Sequence, residues 1–164
     1  MLQVAEAQAR ILAGLAPTPI EWVALPQAVG RVLAGDLHAK RDQPPVAVSA
    51  MDGYAARGDD IRGATEASPR LLTVLEAVPA GAFPTRPVTP GTCTRIFTGA
   101  PLPDGADTVV RQEDTDLGTG TVAIRSDRDA GVNIRRAGED IRQGTVVLPA
   151  GTELGPAEIG VLAS

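Results

Sequence analysis

Aromatic residues are almost missing from this chain of 164 residues: Trp22, Tyr54, Phe83 and Phe97 are its only rings. Any core must therefore be aliphatic, built from Val, Leu, Ile and Ala. Cysteine is reduced to Cys93, which excludes an intrachain disulfide. With His38 as the only histidine, a structural zinc site is excluded as well. Cys93 lies between Thr92 and Thr94 in a strand-like run and is expected to be a packed residue rather than a nucleophile. Lysine is reduced to Lys40, and the remaining bases are all arginine. Acids and bases are interspersed at a net charge of −5, so no basic patch offers itself to nucleic acid. No apolar run approaches the roughly 20 residues of a membrane span. The N-terminus has no basic segment followed by an apolar one, so no signal peptide is expected. The expected location is the cytoplasm.

Glycine and proline, by contrast, are abundant, at 18 and 14 copies. Such a composition suits short strands separated by many turns. A first helix is expected over Val4 to Leu15, with Val4, Ile11, Leu12 and Leu15 on one face and Glu6 and Arg10 placed to pair. Gly14 and Pro17 end it. A short helix is expected over Pro26 to Leu33, and Gln43-Pro44-Pro45 makes a hard break near a domain boundary at about residue 40. From Val46 to about Val147 the pattern is that of a β domain. Strands are expected at Gly53–Ala56, Leu71–Val78, Thr94–Thr98, Thr108–Gln112 and Thr121–Ile124, with a hairpin turn at Leu117–Gly120. Short strands and frequent turns favour a barrel or curled sheet over an open parallel one. Val146–Gly151 reads as a strand into a turn. Pro156 to Ala163 then opens a helix that is still running at Ser164, so a cut chain is expected.

Three segments carry more functional groups than a plain β domain needs. In Ser49-Ala-Met-Asp-Gly-Tyr-Ala55, Asp52 either bonds to turn amides or presents a carboxylate that orients a polar ligand. In Arg95-Ile-Phe-Thr-Gly-Ala-Pro-Leu-Pro-Asp-Gly105, Thr98 and Gly99 open either a proline-braced hairpin or a loop whose amides cradle an anion. In Asn133-Ile-Arg-Arg-Ala-Gly-Glu-Asp-Ile141, Arg135 and Arg136 either join a surface ion-pair cluster or meet an anionic ligand with Asp140 orienting one of them. No Ser–His or His–carboxylate arrangement for nucleophilic catalysis is present. His38, Glu113, Asp114 and Asp116 read as solvated residues.

In their order and spacing, these segments resemble the N-terminal region of the molybdopterin molybdenumtransferases, the family that includes bacterial MoeA and the E domain of gephyrin. The resemblance extends through Val109-Val-Arg-Gln-Glu113 and Val147-Leu-Pro-Ala-Gly-Thr152 and covers essentially the whole chain. It implies an enzyme of molybdenum cofactor biosynthesis that takes adenylylated molybdopterin and molybdate and releases molybdenum cofactor and AMP. Magnesium or another divalent cation would assist. Carried onto this sequence, the resemblance implies catalytic roles for Asp52, Thr98 and Asp140. It implies substrate-binding roles for Ser49, Gly99, Arg135 and Arg136, and assigns no metal ligand. The implied fold is mainly β with a few short helices: an elongated α+β fragment with an inserted β-barrel-like domain at 40–144. Residues 16–39 and 145–164 would form a small discontinuous domain. The helix at 1–15 would pack on a larger α/β domain that such enzymes carry further along. The resemblance also implies a homodimer at full length, with this chain as one wall of a shared cleft and inactive alone. A different class stays open beside it: a standalone, non-catalytic β module for binding or scaffolding.

Overall fold

The computed structural model describes residues 2–164. Contacts divide the chain into two units, Met1–Leu37 with Val146–Ser164, and His38–Thr145.

In the first unit, helix α1 spans Val4–Leu12, three residues short of the expected end. The Glu6–Arg10 pair forms at 2.8 Å across one turn. No residue of α1 is buried, and Trp22 is fully exposed. The helix expected over Pro26 to Leu33 is only a 3-10 turn at Leu25–Gln27, with Pro26 at its start. Beyond it, Val32 bridges Glu153 in extended form, because Gly30 takes a left-handed turn (φ +76°) that ends the helical path. Strand β1 (Leu37–His38) pairs with the late strand Val146–Leu148. Helix α3 occupies Pro156–Ala163, with Glu158 accepting a hydrogen bond from the Gly155 amide at its start. Ala28, Leu148 and Leu154 form the small core here, with Val23, Leu33 and Ile159 against it.

The second unit is the β domain. After β2 (Val48–Ser49), strands β3 (Gly53–Ala56), β4 (Arg70–Val78), β5 (Thr92–Ile96), β6 (Thr108–Arg111) and β7 (Thr121–Ile124) form one sheet in the order β6-β3-β5-β4-β7. A one-turn helix, α2, at Gly58–Ile61 follows β3. Strand β8 (Ile134–Arg135) pairs with β2, and β9 is the Val146–Leu148 strand. Side chains alternate between the two faces of a strand, and both faces of β3 are buried. Tyr54 and Ala56 join Ile61, Leu72, Cys93, Val110, Val122 and Ile124 on one face. Ala55 joins Val78, Ile96, Ala100 and Val109 on the other. The sheet curls as expected of a barrel-like domain. Beyond β6, Thr115 bridges Ile124, and the Asp116 amide donates to the Ala123 carbonyl.

That closure bears out the hairpin turn expected at Leu117–Gly120. The turn does not, however, make β6 and β7 neighbours in the sheet. Strands β6 and β7 lie at opposite ends of the strand order. The arms of the reversal are the residues around Asp114–Asp116 and Ala123–Arg125. Strand β6 is held by β3 instead, which takes both its neighbours from later in the chain.

Among the described residues, no helix is long and apolar enough to cross a membrane.

Candidate functional site

The three singled-out segments meet, and the first lies in the middle. Strand β2 pairs on one side with β8, in the register Val48↔Arg135 and Ser49↔Ile134. On its other side Val48 bridges Pro101. There the Ser49 amide donates to Ala100, and Gly99 donates to the Ser49 carbonyl, each at 2.9 Å. Further back, the Gly138 and Asp140 amides donate to Pro44 and Gln43. The Ala50 amide donates to Asn133, whose own side chain reaches the Val109 carbonyl. Neither of the outer segments need be near the other in sequence, because the 43–50 stretch has a backbone edge for each.

Within this cluster the functional groups are not equal. The hydroxyl of Ser49 is buried and donates to the Met51 carbonyl at 2.6 Å. The hydroxyl of Tyr54 is directed inside the curled sheet, where it donates to the Gly118 carbonyl at 3.1 Å. Both are consumed by the fold. Asp52 is different. It is half-exposed, and its Oδ1 accepts from the Thr98 amide and the Thr98 hydroxyl, each at 2.8 Å. These two bonds, the amide first, hold its carboxyl below the usual aspartate range, with a smaller contribution from the Arg95 charge. Its backbone carbonyl is also fixed, by the Gln112 amide.

Gly53 is a packing requirement. A Cβ there would run into the carbonyl oxygen of Val110 on the paired strand. Gly99 serves a different need. Its φ of +83° turns the chain away from Thr98, and no atom crowds the place of a side chain.

In the third segment, Arg135 forms ion pairs with Asp140 and, at 3.4 Å, with Glu139. Those carboxylates, Asp140 first, push the guanidinium still higher in pKa. The Arg136 amide donates to Glu139, and among the described residues its guanidinium has no ion pair. The segment is thus an ion-pair cluster that also leaves one arginine exposed.

Sequence reasoning passed over Asp129, which is 2% exposed and grips Arg111 with two side-chain hydrogen bonds at 3.0 Å. It also gave no role to the side chain of Arg95, whose guanidinium lies over Tyr54 and Phe97. Its spacing was a usable signal. Arg95 stands two residues after buried Cys93 in one strand and so faces the same way.

A single free carboxylate oxygen at Asp52 does not make a divalent-cation site, which takes several oxygens. Among the described residues no group of three or more His, Cys, Asp or Glu could hold a metal ion. His38 is exposed, with Nδ1 at 3.0 Å from the Gly144 carbonyl.

A curled antiparallel-dominated sheet with Asp52 held by the Thr98 loop defines the β domain, and the segments before and after it in sequence form the other unit. Comparison with known proteins makes this specific. The model for the MoeA N-terminal region (domain I and II) matches residues 2–164, and the chain belongs to that family. Molybdopterin molybdenumtransferase 2 of Mycobacterium tuberculosis is 46% identical over 142 residues, covering 87% of this chain and 35% of that protein. Molybdopterin molybdenumtransferase of a Nostoc species is 41% identical over 144 residues, covering 88% of this chain and 33% of its own length. A crystal structure of the molybdopterin biosynthesis moeA protein from Pyrococcus horikoshii OT3 superposes with a TM-score of 0.80 at 41% identity, over 87% of this chain and 38% of that one. Another moeA structure from the same species gives 0.83 at 31% identity, over 99% of this chain and 42% of its own. The chain thus spans well under half the length of these relatives.

Proposed function

We propose that this chain is the N-terminal portion of an enzyme that inserts molybdenum from molybdate into adenylylated molybdopterin, and that it supplies one wall of the active cleft. The reading is supported by the names of the relatives. The structural observation that supports it is the meeting of the three segments around β2, with Asp52 half-exposed and held by Thr98.

In this reading Asp52 touches the substrate side. Thr98 holds it ionised and aimed, with Oδ2 left to accept from a substrate hydroxyl or an ordered water. Thr98 spends both its donors on Asp52 and is therefore a positioning residue. Asp140 stands in the same relation to Arg135. Arg135 and Arg136 face the anionic groups, for which arginine's planar fork is suited. Ser49 shapes the Met51–Asp52 turn from inside, and Gly99 shapes the loop after Thr98. A divalent cation would take its other oxygens from substrate phosphates. The homodimer is likewise proposed for the longer protein.

The test uses the whole protein that carries this chain. Asp52→Asn is expected to cut molybdate-dependent AMP release from adenylylated molybdopterin by roughly a hundredfold, as removal of a preorganised polar group does elsewhere. Unchanged AMP release would remove Asp52 from the site. Calorimetry of adenylylated molybdopterin against the 164-residue chain alone separates the alternative, because tight binding there would favour a self-sufficient binding module.

A further inference from the structure

The inner face of the curled sheet is filled at one end and open at the other. Ile61, Leu72, Cys93 and Ile124 close the filled end. At the open end lies a cavity of about 360 Å³, whose lining includes Tyr54, Val74, Glu76, Arg95, Gln112 and Gly118. The opening follows from strand lengths. Strand β7 pairs with β4 only from Arg70 to Thr73, so the last residues of β4 have no strand beside them on that edge. Barrel mouths of this size are common small-molecule sites.

Arg95 is the only base among the lining residues, and it is preorganised. Its Nη1 donates to the Gly53 carbonyl at 3.1 Å and its Nη2 to Gln112 Oε1 at 2.7 Å. Its guanidinium lies 5.0 Å from the centre of the Tyr54 ring and 4.7 Å from that of Phe97. All four partners are neutral, and among the described residues Arg95 has no ion pair. Its guanidinium therefore stands at the cavity wall without a direct ionic partner. Glu76 is the only acid of the lining, and it is occupied. It accepts from the Thr85 amide, the Thr85 hydroxyl and the Arg86 amide at 2.7–2.9 Å.

We propose that this mouth binds a small monocarboxylate with a flat apolar body. The carboxylate meets the unclaimed N–H groups of the Arg95 fork, and the body lies against Val74 and the Leu117–Gly118 turn. Arginine's geometry matches a carboxylate in two places at once. The neighbouring Glu76 charge works against phosphate or sulfate, which would bring a second negative charge. Asp52 is not among the lining residues, although the Arg95 charge reaches its carboxyl, and the proposal does not depend on the molybdenum reading.

The test is an isotope-edited NMR titration of the 164-residue chain with benzoate and, in parallel, with sodium sulfate. Saturable benzoate shifts are expected at Arg95 Nε, the Gln112 side-chain amide and the Gly118 amide, with sulfate much weaker. Arg95→Gln removes the charge, and it is expected to weaken benzoate binding by roughly tenfold or more. If that variant loses its folded spectrum, Gln112→Ala serves instead. It frees the fork from its anchor and is expected to weaken binding several-fold. No saturable shift at these groups, or equal benzoate binding by a folded Arg95→Gln protein, would overturn the proposal. Sulfate binding as tight as benzoate would overturn the assignment of ligand class.

Discussion

Thr98 grips one oxygen of Asp52 twice, through its amide and its hydroxyl, both at 2.8 Å. The two residues lie 46 positions apart. They come together because β2 holds the Thr98 loop along its edge through the Gly99 and Ala100 backbone.

This link makes the acidity of Asp52 a readout of the loop. Thr98→Val removes the hydroxyl donor and keeps the amide. The Asp52 pKa is then expected to rise toward the ordinary aspartate value while staying below it, as followed by carboxyl NMR. The sign for stability follows from the depressed folded pKa. The contribution of Asp52 is present above its unfolded pKa and is lost as pH falls through the lower folded one. In Thr98→Val that acid-side loss should be smaller and should be complete at a higher pH, because the folded pKa then lies closer to the unfolded one. An unmoved pKa would show that the hydroxyl bond is not formed in solution.

Gly53 and Gly99 should answer differently to the same substitution. A methyl at Gly53 meets the Val110 carbonyl inside the β3–β6 pairing, where neither backbone can yield. Gly53→Ala is expected to destabilise by about 3 kcal/mol or more in urea unfolding. Gly99→Ala meets no atom and carries only the strain of its left-handed φ, roughly 1–2 kcal/mol. Equal losses at the two positions would refute this distinction.

Asp129→Asn tests the buried pair with Arg111. Burial by itself would raise the Asp129 pKa, and the Arg111 side chain and amide outweigh it, so the net direction is downward. The asparagine loses the charge but keeps one acceptor. Arg111 remains partly in water, so the loss is expected at about 1–3 kcal/mol, and it should shrink in acid as wild-type Asp129 is protonated. Urea unfolding at neutral and acid pH compares the two proteins.

Cys93 sits wholly inside the sheet, and burial pushes its thiol pKa up to about 12. It should resist an aromatic disulfide reagent at pH 8 in the folded protein. Its modification rate should follow global unfolding as urea is added. Rapid labelling without denaturant would contradict the packing described here.

Much of the secondary structure was readable locally. Gly53–Ala56, Thr121–Ile124 and Pro156–Ala163 have the expected bounds. Each is bounded by turn formers or a proline, and each has apolar residues at the spacing of its element. Pro26 to Leu33 misled because its apolar spacing suits a helix, while the left-handed Gly30 within it stops one. The partner of the Tyr54 hydroxyl was not readable locally for another reason: nothing nearby in sequence shows that it lies at Gly118, 64 residues on.

Turn chemistry, strand alternation and the three ordered motifs are properties of short stretches, and local sterics and hydrogen bonding suffice to set them. They gave the β character, the aliphatic core and the family resemblance. Tertiary structure alone decided which side chains remained for chemistry. Tertiary packing buried Ser49 and Tyr54, left Asp52 half-exposed beside Thr98, and put at the mouth an Arg95 that has no ion pair among the described residues. The reason is that burial and pairing belong to contacts across tens of residues. A side chain's availability is what those contacts leave over.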